Sequence, residues 1–227
     1  MIRRALRRLR SDESGLSLTE LLVSATLSLL ILAMIGSFFI STAKLTANST
    51  ETTNSTNDAA NIANEITSVV RVATTLAKSG QALPDPAIVS GTRESLTIYS
   101  LSNTDADNPA PVKVSFSINA DRTVTETRCT ATSSGGFWTF GTCAATSTRR
   151  LGGNIMPLTG TSDQMFTYLT STGTPILIGA GSLTAAQRAT VASIVVYVSV
   201  KATGSRTQQV VISNKVVLGN LGLDSSS

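Results

Sequence analysis

The sequence predicts an α+β fold in which one long N-terminal helix packs on an antiparallel β-sheet. Two patterns indicate this class: an apolar run at residues 16–40 that leads into a helical periodicity, and a series of short β-rich segments in the second half of the chain. The roughly 187 residues after the run are enough for one globular head and too few for two domains.

The chain begins with a basic stub. Residues 1–14 contain five arginines against Asp12 and Glu13. By the positive-inside rule such a stub stays in the cytoplasm while the segment after the apolar run is exported. We therefore expect a single-pass membrane protein with a cytoplasmic N-terminus and an extracytoplasmic head.

The apolar run at residues 16–40 is predicted to be a transmembrane helix. Such a helix is about 37 Å long, which exceeds the about 30 Å of a hydrocarbon core. Its single charged residue is Glu20, near its start. A membrane-embedded carboxylate needs a cation, and a cut between Gly15 and Leu16 would create an ammonium one turn before Glu20 that a neighbouring copy can offer. The alternative is a glutamate that extends to the membrane interface.

Residues 41–78 are predicted to be a helical stalk that continues into an amphipathic helix. Residues 41–57 are mostly Thr, Ser and Asn, but contain no glycine or proline. From Asp58 onward, apolar residues recur at steps of three and four, and Gly80 then supplies a stop. These apolar positions are Ala59, Ile62, Ala63, Ile66, Val69, Val70, Ala73 and Leu76.

Residues 79–223 are predicted to form a β-rich globular head, and residues 224–227 a disordered tail. The last two strands are expected to pair as a hairpin around Gly204 and Ser205. The predicted strands are residues 95–100, 112–118, 123–130, 137–142, 165–169, 176–178, 192–202 and 207–218.

Cys129 and Cys143 are the only cysteines, and they flank the Gly135-Gly136 turn of a predicted hairpin. Because the head lies outside the reducing cytosol, the pair predicts a disulfide. Its loop of about 15 residues corresponds to roughly 3 kcal/mol in the chain-entropy model. Two buried free thiols are the alternative. No metal site is expected, since two cysteines without any histidine cannot fill a tetrahedral site.

Phe137, Trp138 and Phe140 form the one dense aromatic patch of the sequence, inside the loop between the cysteines. The patch is a candidate contact surface for a neighbouring subunit or a receptor. Alternatively, the three rings cap the core of the sheet.

The composition favours a protein that is not an enzyme and uses no cofactor or small-molecule substrate. Without histidine, Ser-His-Asp and Cys-His arrangements are excluded. The stub holds five of the 18 basic and two of the 14 acidic residues, which leaves 13 against 12 and a net charge of +1. Direct nucleic-acid binding is therefore not expected. The remaining basic doublet, Arg149-Arg150, is interpreted as a solvated turn.

The segment Gly15-Leu16-Ser17-Leu18-Thr19-Glu20-Leu21-Leu22-Val23 resembles the prepilin cleavage and methylation signature of type IV pilins and pseudopilins. This resemblance implies a pilin-like fold, a leader peptide of residues 1–15, an N-methylated Leu16 as the first mature residue, and Glu20 as the assembly glutamate. The family usually begins with phenylalanine, so Leu16 is a departure. The run lacks the proline common in major pilins, which favours a minor subunit.

The resemblance implies a minor pilin that joins a cell-surface type IV pilus through its N-terminal helix. Its expected partners are a prepilin peptidase, other pilin or pseudopilin subunits, the membrane and an inner-membrane assembly platform. Two alternatives remain open. One is a pseudopilin of a type II secretion or competence (DNA uptake) system, and the other is a membrane-anchored adhesin that does not polymerise.

Overall fold

The computed structural model describes residues 17–102, 110–143, 147–156, 164–178, 181–201 and 209–219. A long N-terminal helix is followed by antiparallel β-sheets, so the predicted α+β class is confirmed. Contacts divide the chain into two compact units, with the division between Ser49 and Thr50. The tail predicted at 224–227 lies outside the described residues.

Helix α1 spans Leu18–Arg71. Its residues up to Ser49 lie in the first unit, and from Thr50 onward it belongs to the unit that contains the sheets. The predicted amphipathic face is confirmed within this second part, because its buried residues recur at helical spacing. They are Ser55, Ala59, Ile62, Ala63, Ile66, Val69 and Val70.

The helix ends at Arg71, so its predicted end at Lys78 was wrong. After Arg71 the backbone joins the end of a strand: Ala73 forms an antiparallel bridge with Ser100, and the Thr74 amide donates to the carbonyl of Tyr99 at 3.0 Å. Ala73 and Leu76 are buried as predicted, but in extended backbone. A spacing of three residues is typical of one helix face, so this buried pair extended the predicted helix beyond its observed end.

The larger sheet has five antiparallel strands in the order β1-β2-β3-β4-β7. Its strands are β1 (Ile88–Gly91), β2 (Ser95–Ser100), β3 (Val112–Ile118), β4 (Val124–Thr130) and β7 (Thr148–Gly152). Strands β2 and β3 match their predicted bounds, and buried residues alternate with half-buried ones along most of β3 and in the first half of β2.

The smaller sheet has three strands in the order β10-β9-β8. Its strands are β8 (Phe166–Leu169), β9 (Ser193–Lys201) and β10 (Gln209–Val217). The predicted pairing of the last two strands is confirmed, with Lys201 opposite Gln209 and Ser193 opposite Val217. The hairpin β5 (Thr132–Ser134) and β6 (Phe137–Thr139) forms a separate two-stranded sheet.

Residues 176–178 do not form the predicted strand. This segment follows a turn at Gly173 (φ 80°), and its pairing is limited to a bridge between Pro175 and Leu169 and one hydrogen bond from the Ile176 amide to the Tyr168 carbonyl. A short helix, α2 (Ala185–Thr190), comes next and is stabilised by a capping box between Thr184 and Gln187.

One continuous apolar core unites the C-terminal part of α1 with both larger sheets. Ile62 and Ile66 of the helix, Phe116 of β3 and Tyr168 of β8 are among its largest buried side chains. The approach of helix and sheet is close: a Cβ on Gly152 would lie 2.7 Å from Ile62 Cδ1. Burial of the amphipathic face against these strands therefore explains the fold of the head.

Candidate functional site

The first candidate site is the apolar surface of α1 at residues 18–40. Every residue in this range is exposed, and even Phe38 and Phe39 are each 74% exposed. Among the described residues, α1 is the one helix long and apolar enough to cross a membrane. Because such a surface is unfavourable in water, lipid or other protein must cover it.

Three hydroxyl side chains within this apolar surface form hydrogen bonds to carbonyls of the same helix. Ser24 donates to the Leu21 carbonyl at 3.0 Å, and Thr26 donates to the Val23 carbonyl at 2.8 Å. Ser37 bonds in the same way to the carbonyl three residues earlier. These bonds reduce the cost of placing hydroxyl groups in an apolar environment.

Glu20 lies in the first turn of α1 and forms a capping box with Ser17. The Ser17 amide donates to Glu20 Oε2 at 3.2 Å, and the Glu20 amide donates to Ser17 Oγ at 3.2 Å. This pair satisfies two of the backbone amides that a helix start leaves unpaired. The S-x-x-E spacing from Ser17 to Glu20 is the sequence signal for this capping box.

The geometry of the junction itself is not described, since Gly15 and Leu16 lie outside the described residues. The cleavage and methylation assigned to them by resemblance therefore stay predictions. Glu20 follows Leu16 by four residues in the sequence. It lies in the first turn of α1, where the helix dipole favours a negative charge.

The second candidate site is the aromatic patch. The three residues Phe137, Trp138 and Phe140 are half-buried on and just after strand β6. Phe140 stacks on Tyr99 of β2, with ring centroids 5.3 Å apart and planes inclined by 17°. Phe140 therefore covers part of the sheet, which agrees for this ring with the alternative interpretation of the patch as a cap on the sheet. The surface of all three residues remains partly accessible.

The disulfide between Cys129 and Cys143 is confirmed, with the two Cα atoms 5.1 Å apart. It connects β4 to the segment that follows β6, and so closes the loop that carries the aromatic patch. The predicted hairpin around Gly135 and Gly136 is also present, and both glycines have positive φ values of 60° and 81°.

An ion-pair network joins α1 to the larger sheet. It was not predicted from the sequence. The Glu126 side chain is fully buried, and its two oxygens accept from Arg128 Nε at 2.6 Å and Arg149 Nε at 2.5 Å. Both arginines also contact Glu65 of α1, at 2.7 and 2.6 Å. Arg149 and Arg150 are exposed, as interpreted, but the predicted turn was wrong, since both residues lie on β7.

The environment of Arg149 shows how this network balances its charges. Partial burial lowers the pKa of the guanidinium, but hydrogen bonds and charge attraction from Glu126 and Glu65 outweigh that effect and raise it overall. A buried carboxylate is costly unless it is paired, and here two cations pair with it. The network has a structural role in fixing the helix on the sheet.

Neither candidate site contains an arrangement for metal binding. Within the described segments of the chain, no group of three or more Cys, Asp or Glu side chains is placed to hold a metal ion. No protein-family model matches this chain, and no curated protein matches it. The function is therefore inferred from the residues and the geometry around them.

Proposed function

We propose that this chain is a minor pilin, a structural subunit of a type IV pilus. It would be cut after Gly15 by a prepilin peptidase, methylated at Leu16, held in the membrane by residues 16–40, and assembled into a surface filament by an inner-membrane platform. Its work in this proposal is assembly and display rather than catalysis.

The observation that carries the proposal is the exposed apolar surface of α1 at residues 18–40, with Glu20 as its single charge. A bilayer covers such a surface while the subunit is stored. In a filament, the corresponding helices of neighbouring subunits cover one another in the same way. One surface thus serves both states of the subunit.

The carboxylate of Glu20 supports the proposal further. Its hydrogen bond from Ser17 occupies Oε2, and among the described residues no cation pairs with Glu20. An unpaired carboxylate between apolar helices is unfavourable. The ammonium of Leu16 from an adjacent, axially shifted copy would supply the missing charge in the filament.

The head is consistent with export. The Cys129–Cys143 disulfide fits an oxidising compartment outside the cytoplasm. Such a location agrees with the basic stub at residues 1–14, which favours retention of the N-terminus inside the cell.

Co-expression with a prepilin peptidase tests the proposal. We expect the mass of the full-length chain to fall by that of residues 1–15, with one added methyl group. Gly15→Val should block the cut. Gly36→Ala is the matched control, because Gly36 lies within α1 with open space around it and this variant should be processed normally.

Two other results would replace the proposal with its alternatives. A chain that stays at full length in the presence of an active peptidase indicates a membrane-anchored adhesin. A chain that is cut but joins only a secretion or competence pseudopilus indicates a pseudopilin.

A further inference from the structure

The head contains a cleft of about 620 Å³ beside the aromatic patch. Four segments line it: the loop after α1 with Lys78, strand β2 with Tyr99, strand β3 with Lys113, and the β5–β6 hairpin with Phe137 and Trp138. All of them belong to the same compact unit. The volume lies in the range of pockets that hold small ligands.

The lining of the cleft is positively charged. It contains two lysines and no aspartate or glutamate. Lys78 already forms an ion pair with Asp85. Lys113 Nζ lies 5.5 Å from the centroid of the Phe140 ring, and no carboxylate of the described residues forms an ion pair with it. Lys113 is therefore the cation that a bound carboxylate can reach.

The rest of the lining combines flat rings with hydroxyl groups. Phe137 and Trp138 present half-buried aromatic surface, and Phe140 is held in place by its stack on Tyr99. Hydroxyl side chains complete the lining and can donate or accept hydrogen bonds. They belong to Ser79, Ser134 and Thr139.

The aromatic wall is held in position before any ligand arrives. The disulfide fastens the loop that carries the hairpin, from Cys129 on β4 to Cys143 after β6. The tight turn at Gly135 and Gly136 fixes the hairpin itself. Such preorganisation lowers the entropic cost of binding.

We propose that this cleft binds an acidic oligosaccharide, with a sugar ring against Trp138 and a ring carboxylate at Lys113 Nζ. Sugar hydroxyls match the hydroxyl groups of the lining, and the apolar face of a sugar ring matches an aromatic face. This inference concerns the head alone and does not depend on assembly into a filament.

Two other classes of ligand fit the cleft less well. A nucleic acid needs several cations along a groove to contact successive phosphates, whereas here one lysine is unpaired. An acidic peptide is commonly bound through an arginine cluster, and no arginine lines the cleft.

The sole tryptophan of the chain, Trp138, gives a direct test by fluorescence. Full-length protein in detergent micelles is titrated with trigalacturonate, and in parallel with the neutral trisaccharide of galactose. We expect a saturable change in Trp138 emission with the acidic sugar only. Lys113→Gln should weaken binding about tenfold or more. Lys215→Gln, an exposed lysine on β10 outside the cleft, should bind like the wild type.

The proposal is overturned if trigalacturonate leaves the emission unchanged, if the neutral trisaccharide binds equally well, or if Lys113→Gln binds as tightly as the wild type. Tighter binding of an oligoglutamate peptide or of single-stranded DNA would assign the cleft to one of those ligands instead. Lys113→Arg retains a cation and should keep most of the affinity, which separates loss of charge from loss of fold.

Discussion

Ser17 and Glu20 each accept a hydrogen bond from the other's backbone amide at the start of α1, both at 3.2 Å. Glu20 therefore has a structural role as part of a capping box, in addition to the assembly role that we propose for its charge. Glutamine can also serve at this position of a capping box. Substitutions at Ser17 and Glu20 can thus separate the two roles.

Glu20→Gln should remain in the membrane but disappear from sheared filaments, because it keeps the capping geometry and loses the charge. Glu20→Ala should also remain in the membrane and be absent from sheared filaments. Ser17→Ala is the matched control: it removes one capping bond, worth about 1 kcal/mol, and keeps the carboxylate, so it should enter filaments. Immunoblots of the membrane fraction and of the sheared filament fraction measure how much of each variant is present in each. Normal filaments from Glu20→Gln would show that the charge is not required for assembly.

Arg149→Gln and Arg150→Gln should differ in stability although the two arginines are adjacent on β7. Loss of Arg149 leaves one oxygen of the buried Glu126 without its donor, which costs about 1–3 kcal/mol. Arg150 is exposed, and its loss should change stability by less than about 0.5 kcal/mol. Urea unfolding followed by circular dichroism checks this. Equal midpoints for both variants would contradict the role assigned to the network.

The head should lose stability at alkaline pH through Tyr168. Burial raises the pKa of this phenol far above its ordinary value of 10.0. Above pH 10 the unfolded chain releases the proton while the folded chain retains it, so stability falls by about 1.4 kcal/mol per pH unit from this group. Tyr168→Phe should reduce that slope in unfolding measurements between pH 9 and about 11. An unchanged slope would contradict the prediction.

The same Tyr168→Phe variant needs a measurement at neutral pH as its control. The single phenol hydrogen is shared between the carbonyls of Thr92 and Ser95, whose oxygens lie 3.0 and 3.2 Å from Tyr168 Oη. Loss of this shared bond should cost about 1 kcal/mol at neutral pH, independent of titration. Subtraction of this constant difference isolates the effect of the proton.

Gly91→Ala should destabilise the head by about 1–3 kcal/mol, because a Cβ there would lie 2.5 Å from Tyr168 Oη and 2.9 Å from Leu183 Cδ1. Tyr168 cannot move away without breaking the hydrogen bond that its phenol shares between the Thr92 and Ser95 carbonyls. Gly181→Ala is the matched control, since a Cβ at that position meets open space. Thermal unfolding compares the two. A neutral Gly91→Ala would show that the contact around Tyr168 is looser than the structure indicates.

Local patterns in the sequence predicted much of the fold. The amphipathic face of α1, strands β2 and β3, the final hairpin and the disulfide all follow from periodicity, alternation and cysteine spacing. Strands β1, β5 and β7 were missed because they are short or polar. Helix α2 was missed as well, although Thr184 and Gln187 have the spacing of a capping box.

The candidate sites could be predicted only in part, because some of their contacts join segments that are distant in the sequence. Glu20 and the aromatic patch were identified from residue type and position. The Glu65, Glu126, Arg128 and Arg149 network depends on the register between β4 and β7 and on the approach of α1, and no local pattern encodes either. The cleft likewise requires residues from four segments that are separated in the sequence.

Mass spectrometry of the protein recovered from sheared native filaments tests the central claim most directly. The account predicts a chain that begins at Leu16, carries one extra methyl group and is present in the filament fraction. A chain in that fraction that still begins at Met1, or a chain found only in the membrane, would contradict it.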